Sequence, residues 1–195
     1  MELETLDDLA LVTRTQEGNR DAFSALVARY QDRVLNLVFR RLSDRDLALD
    51  VAQEVFLKAY RGLPRFQGDA QFFTWLFRIT MNETISARRK LDRRGRPLSL
   101  DATGPDGELL GDPADSSFEP AAEAARQDDQ LMVQRAIHAL DDELGQVLVL
   151  RDIEGLAYAE IAHVLQIPLG SVKSRIHRAR QALKEALAQS IERQG

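Results

Sequence analysis

Apolar positions recur along this chain with the period of helices and almost nowhere with the period of strands. Phe23, Leu26, Val27, Tyr30, Val34, Leu37 and Val38 form one stripe at helical spacing, which predicts a long core helix with Asn19 as its N-cap. A shorter helix is expected before it, over Leu6 to Glu17. A second stripe through Leu47, Val51, Val55, Phe56 and Tyr60 predicts a helix capped by Ser43 or Asp44 and ended by Gly62-Leu63-Pro64. A third runs through Trp75, Leu76, Ile79 and Ile85. The helical pattern fails between Pro97 and Pro120, where four of the six prolines lie, and returns with Leu131, Met132, Val133, Ile137, Leu140, Leu144, Val147, Leu148 and Ile153. The fold class is therefore all-α: two small helical domains, 1–96 and 121–195, joined by a linker over 97–120.

The last stretch carries the clearest local signal. Ile161, Ala162 and Leu165 make a short apolar stripe, Gln166 to Leu169 break it with a proline, and Val172, Ile176, Ala179 and Leu183 resume at i, i+4, i+7 and i+11. This is the pattern of a helix-turn-helix. The outer face of its second helix holds Lys173, Ser174, His177, Arg178 and Gln181, with Arg175, Arg180 and Lys184 on the flanks. An apolar back with a polar, cationic front suits the DNA major groove, where base edges form the floor and phosphates the walls. Ala157 stands where a capping side chain would start the first helix, and alanine has none to offer, so that helix start is expected to be weak.

Composition narrows the function. There is no cysteine, which excludes disulfides and thiolate metal sites, and three histidines scattered along the chain offer no zinc pattern. Net charge is -5, too acidic for a protein that coats nucleic acid by bulk electrostatics. The charge is segregated instead: residues 88–96 hold six cations against Asp92, residues 173–184 hold five, and residues 99–129 hold nine acids with only Arg126. Two basic surfaces separated by an acidic connector fit two separated contacts with DNA. The acidic start of the chain is unlike a signal peptide and no run is long enough to span a membrane, so a cytoplasmic location without membrane insertion is expected.

Two further features carry candidate chemistry. Asp50, Gln53 and Glu54 share one side of their helix. The pattern alone admits either a solvated acidic face or a docking stripe for a basic partner. Phe66, Phe72, Phe73, Trp75 and Phe77 place five aromatics within twelve residues beside the basic cluster. Most are expected in the core, but rings on a loop beside cations also hold unstacked bases, at about 1–3 kcal/mol per stack, and Phe66 is the better placed for that role. No Walker loop, HExxH, zinc-deaminase signature or acidic metal cluster is present, so no catalytic residue, metal or cofactor is expected and an enzyme acting on nucleic acid is disfavoured.

Four stretches, EGNRDAFSALVARYQ, DLALDVAQEVFLKAYRGLPRF, FFTWLFRITMN and EGLAYAEIAHVLQIPLGSVKSRIHRARQAL, resemble in this order the extracytoplasmic-function class of bacterial sigma factors. The resemblance implies a subunit that binds core RNA polymerase and directs promoter-specific initiation. It assigns regions two and four to the two domains and Asp50, Gln53 and Glu54 to the clamp helices of the polymerase's largest subunit, with the flap as a further polymerase contact. It assigns Phe66, Gln67, Phe72, Phe73, Arg78, Asn82, Arg88 and Arg89 to the opened -10 element. Ser171, Lys173, Ser174, Arg175, His177 and Arg178 are assigned to the -35 duplex, with Arg175 and Arg180 serving phosphate contacts or pairing inside the domain. The acidic linker would thread toward the RNA exit path, and an anti-sigma factor is an expected partner. The alternative reading is a dimeric helix-turn-helix repressor or activator.

Overall fold

The structure is a computed structural model and describes residues 3–93 and 131–192. The expected linker over 97–120 and the first residues of the C-terminal unit lie outside the described residues. After a 3-10 turn at Leu3–Thr5 come α1 (Asp8–Gln16), α2 (Arg20–Leu42), α3 (Arg45–Gly62), a 3-10 turn at Leu63–Arg65 and α4 (Phe72–Arg93). The C-terminal unit consists of α5 (131–139), α6 (Asp142–Leu148) running into a π-helical turn at Val149–Ile153, α7 (Tyr158–Leu165) and α8 (Leu169–Glu192). No strand occurs among the described residues.

Local chemistry sets the helix ends. The side chains of Asp7, Asn19 and Asp44 accept from the backbone N–H of Ala10, Ala22 and Leu47, at 2.8, 3.1 and 3.0 Å, and so cap α1, α2 and α3. Of the two candidates for α3, Asp44 is the cap; Ser43 instead closes α2 in the left-handed region at φ 52°. Ala157 starts α7 without a side-chain cap, and the Glu160 carboxylate accepts from its N–H at 2.7 Å, which is one half of a capping box. The predicted stripe of α2 is the centre of the molecule: Leu26, Val34, Leu37 and Val38 are fully buried. Phe23 and Val27, from the same stripe, sit at its edge and stay partly exposed.

The two units share one apolar core. Leu156, Ile161 and Val164 join the cluster that contains Phe77 and Met81, with α7 packed across α4. The polar part of the contact is organised around Arg41, which is 1% exposed. Arg41 Nη2 meets Asp142 Oδ1 at 2.6 Å and Nη1 donates to the Ile137 carbonyl at 3.3 Å. The guanidinium lies over Gly145, where a Cβ would stand 1.9 Å from Nη1, so only glycine leaves room for it. Arg88 also meets Asp142 Oδ1, at 3.1 Å, and donates weakly to the Arg41 and His138 carbonyls. Beside them Ser43 Oγ and His138 Nδ1 are 3.1 Å apart, and Gln134 Nε2 donates to the Phe39 carbonyl. Burial, with Arg88 adding to it and Asp142 opposing, pulls Arg41 down to about 10.

His138 is held below its ordinary value, chiefly by burial and then by the positive charges of Arg88 and Arg41, with Asp142 a weaker opposing charge. A histidine whose folded value is depressed binds its proton more readily in the unfolded chain, so stability falls as pH drops through and below about 6.5. The midpoint of thermal unfolding is therefore expected to fall between about pH 7.5 and about pH 5.5, and His138→Gln is expected to flatten that fall. Calorimetry of both proteins across the range checks it.

Candidate nucleic-acid interface

Three surfaces present the side chains singled out from the sequence. The first lies between α2 and α3. An open apolar groove of about 620 Å³ runs between Phe23 and Val27 on one helix and Phe56, Leu57 and Tyr60 on the other. Leu49, Leu57 and Tyr60 are 47%, 44% and 42% exposed, a concentration of wet apolar surface along one helix. Gln53 lines this groove, and Asp50 is exposed one turn before Glu54. Glu54 lies 3.8 Å from Lys58, whose stronger partner is Glu83 on α4 at 2.7 Å. The acidic stripe thus borders an apolar slot, which the stripe alone did not announce.

The second surface is the loop from Phe66 to Gln71 with the exposed side of α4. Gly68 adopts φ +80°, a conformation that suits glycine. Gln16, at the end of α1, donates to the carbonyls of Leu63 and Phe66, both at 2.9 Å, and so ties the start of the loop to the first helix. Phe66 is half-buried in a ring cluster, 5.1 Å from Trp75 and edge-on to Phe72 at 6.2 Å between centroids. Phe72, also assigned to DNA from the sequence, is 4% exposed, and its ring sits in the core edge-on to Phe66. Phe73 packs edge-on against Phe77 and is also only partly exposed. Gln67, Asn82 and Arg89 face solvent, and Arg78 is half-buried. Arg88 stands about a quarter-turn round α4 from Arg89, and its guanidinium is turned into the contact with Asp142.

A pocket of about 710 Å³ opens between this loop and α1, lined by Asp7, Asp8, Tyr30, Phe66, Gln71 and Phe72 among others. Its far wall is fixed by Asp8, which accepts from the Tyr30 hydroxyl and from Arg29 Nη1. Burial and that hydrogen bond to Asp8 raise the Tyr30 hydroxyl well above its ordinary value.

The third surface is α8. Val172, Ile176 and Ala179 are buried, as their spacing predicted, and Lys173, Ser174, His177 and Arg178 are exposed on the opposite side. α7 stops at Leu165, Gln166 turns the chain at φ 54°, and α8 begins at Leu169, so the break is one of three residues. Two of the cations are spoken for inside the unit: Arg175 pairs with Glu143 at 2.8 Å, and Arg180 Nε donates to Asp152 at 3.0 Å. Ser171 is half-buried, and its carbonyl accepts from the Ser174 hydroxyl. What remains free for a ligand is a compact patch of Lys173, Ser174, His177 and Arg178.

Sequence reasoning missed Arg41, Gly145 and a second contact between the units. There Arg33 meets Glu154 at 3.0 Å and stacks over the Phe77 ring at 5.1 Å. One signal was available: Arg41 falls seven residues after Val34 and four after Leu37, on the buried stripe of α2. Among the described residues no group of acidic and histidine side chains is arranged to hold a metal, and no helix is long and apolar enough to cross a membrane.

A helical chain that offers an exposed cationic recognition helix behind a short three-residue turn is a DNA-binding regulator. Comparison with known proteins sharpens this. The Sigma-70 region 2 family matches residues 26–94 and the Sigma-70 region 4 family residues 130–183. The chain is 44% identical to the RNA polymerase sigma-H factor of Pseudomonas aeruginosa over 92% of this chain and 93% of the relative. It is 39% identical to the ECF RNA polymerase sigma-E factor of Escherichia coli, over 97% and 99%. Among solved structures, CnrH in complex with the cytosolic domain of CnrY is similar at a TM-score of 0.66 and 29% identity, covering 93% of this chain and 97% of that one. A sigma factor RpoE bound to the anti-sigma factor NepR from Bartonella quintana shares the fold at 0.64 and 23% identity, over 85% of this chain and 96% of that one. The chain belongs to the extracytoplasmic-function sigma factors of RNA polymerase, and it directs promoter-specific transcription.

Gln16→Ala removes both hydrogen bonds that anchor the Phe66 loop. Because each is worth about 0.5–1.5 kcal/mol net, the expected result is a loss of about 1–2 kcal/mol in stability and faster amide hydrogen exchange confined to residues near 63–71. Exchange measured by mass spectrometry on both proteins would show it.

Proposed function

We propose that the groove between α2 and α3 is the seat of core polymerase, with the clamp helices of its largest subunit laid along it and the flap contacting the C-terminal unit. The observation that carries this reading is the row Leu49, Leu57 and Tyr60, wet and apolar, with Gln53 among them and Asp50 and Glu54 beside them. A helix with an apolar edge and basic neighbours is complementary to such a slot. Residues 1–96 then act as region two and 121–195 as region four. Gln67, Phe66, Asn82, Arg78 and Arg89 receive the opened -10 strand, the ring of Phe66 offering a stacking face and Asn82 an amide for base edges. Lys173, Ser174, His177 and Arg178 read the -35 duplex, with a bidentate contact from Arg178 to guanine worth about 1–3 kcal/mol of discrimination. An anti-sigma factor is proposed as a second partner, in line with the complexes in which CnrH and RpoE were solved. The repressor reading is the weaker one, since it leaves the groove and the aromatic loop without a use.

Run-off transcription with purified core polymerase on fragments of the source genome tests the reading: discrete transcripts are expected only when the protein is added. Leu57→Asp puts a charge into the groove and is expected to weaken core binding at least about tenfold, or about 1.4 kcal/mol, while leaving the melting temperature within a few degrees. Fluorescence titration against core polymerase measures it. Arg178→Ala is expected to leave core affinity unchanged and to lower -35 duplex affinity at the promoters so found. Equal loss on duplexes with and without the -35 element would remove the base-reading role and leave only a phosphate contact.

A further inference from the structure

Among the described residues, two carboxylates of the C-terminal unit are paired with arginines of the N-terminal one. Asp142 is held by Arg41 and Arg88. Glu154, whose side chain is 6% exposed, is held by Arg33, with Arg40 close enough to act on its charge. Four guanidiniums on α2 and α4 thus face two carboxylates, with the buried side chains of His138 and Gln134 bonded to Ser43 and to the Phe39 carbonyl beside them. The balance is incomplete: Arg40 Nε is buried and has no hydrogen-bond partner. A buried donor left unmet marks a place where a further acceptor would be favourable.

The cluster adjoins the DNA side of α4. Arg78, Asn82 and Arg89 share one stripe of that helix, and Arg88, about a quarter-turn round it, reaches the Arg41 carbonyl on α2 in an extension of that side. In the packed chain this extension is closed by α5, α6 and the π-helical turn. Packing cannot persist on a promoter. The two elements are named for positions about 25 base pairs apart, about 85 Å of duplex, and two units in van der Waals contact cannot lie on both. The 37 residues from 94 to 130 are long enough, at roughly 120 Å of contour, to let them part. When they part, Arg41 would be left as an uncompensated cation on a face that continues the DNA path.

We propose that Asp142 and Glu154 occupy, in the packed chain, the places on the arginine face of α2 and α4 that promoter phosphates take once the units separate. The C-terminal unit is then an internal competitor of promoter DNA, and Arg41, Arg33 and Arg40 join Arg88 as backbone contacts. A carboxylate and a phosphate present the same acceptor oxygens to a guanidinium, and arginine binds either through its fork. The proposal rests on the reading of α4 as the -10 surface.

The test uses the free full-length chain and a fluorescent single-stranded oligonucleotide carrying the -10 element of a promoter found by run-off. Asp142→Asn with Glu154→Gln should raise affinity for this strand about tenfold and enlarge the radius of gyration in X-ray scattering. Gly145→Ala, which drives a methyl into Arg41 without changing charge, should do the same. Glu17→Gln with Asp21→Asn alters net charge equally at a remote place and should change neither. Adding Arg41→Gln to the Asp142→Asn, Glu154→Gln pair should take back most of the gain and reduce the slope of log affinity on log salt by about 0.7, one phosphate on a single strand. Expansion without tighter binding, or tighter binding with an unaltered salt slope, overturns the phosphate assignment; no expansion in either opened variant overturns the competition. If the assembled holoenzyme itself fails to engage the -10 strand, it is the reading of α4 that falls. If the holoenzyme engages it and the opened free chains do not, only the present inference does.

Discussion

A guanidinium taken out of water must find acceptors for its N–H groups or give up its place. Arg41 is almost fully buried, and the acceptors it finds belong to the other unit: the Ile137 carbonyl ahead of α6 and the Asp142 carboxylate in its first turn. That requirement sets where α6 can lie, and Gly145, one turn along, lets the helix come close enough to deliver Asp142. With α6 placed, α7 settles across α4 and Ile161 and Val164 enter the common core. Removing Asp142 would strand a buried guanidinium without its counter-charge, which is destabilising even though the carboxylate itself is partly exposed. The charged contacts thus fix the register of the two halves, and the apolar contacts of α7 on α4 fill the space between them.

α2 shows how few surfaces a short chain has and how many uses each must serve. One side holds the stripe from Leu26 to Val38, a second opens with Phe23 and Val27 into the groove, and a third carries Arg33, Arg40 and Arg41. The aromatic cluster is divided in a similar way. Phe72 and Phe77 fill the core, Phe73 and Trp75 seal its edge, and Phe66 stands on top of them with Gln16 holding its backbone. A ring meant to meet a base gains from this arrangement, since a rigid platform loses little freedom on binding.

The helices were legible from the sequence because apolar burial at a period of 3.6 leaves a direct trace, and α2 and α8 follow it closely. Asn19 was legible as a cap because the side chain that satisfies an N–H lies three residues from it. What escaped was decided by chain segments far apart. Arg41 and Asp142 are 101 positions from each other, and neither residue reveals its partner. Phe72 was placed with the DNA contacts because composition cannot tell a ring that supports a loop from one that faces outward. The groove escaped for a related reason: Leu49 and Leu57 look like ordinary core residues until the packing of α2 on α3 leaves them uncovered. The π-helical turn at Val149–Ile153 had no local signal at all.

Gly145 has a bearing on how halves of related proteins could be combined. Exchanging the C-terminal unit for that of another family member transplants whatever stands at the positions of Gly145 and Asp142, while Arg41 stays behind with the recipient. A donor carrying alanine and a neutral residue there would join two sound halves into a chimaera that cannot pack shut. Arg41, Asp142 and Gly145 thus form a compatibility set. In grafting experiments it would be carried over or replaced as a unit, separately from the residues that choose a promoter.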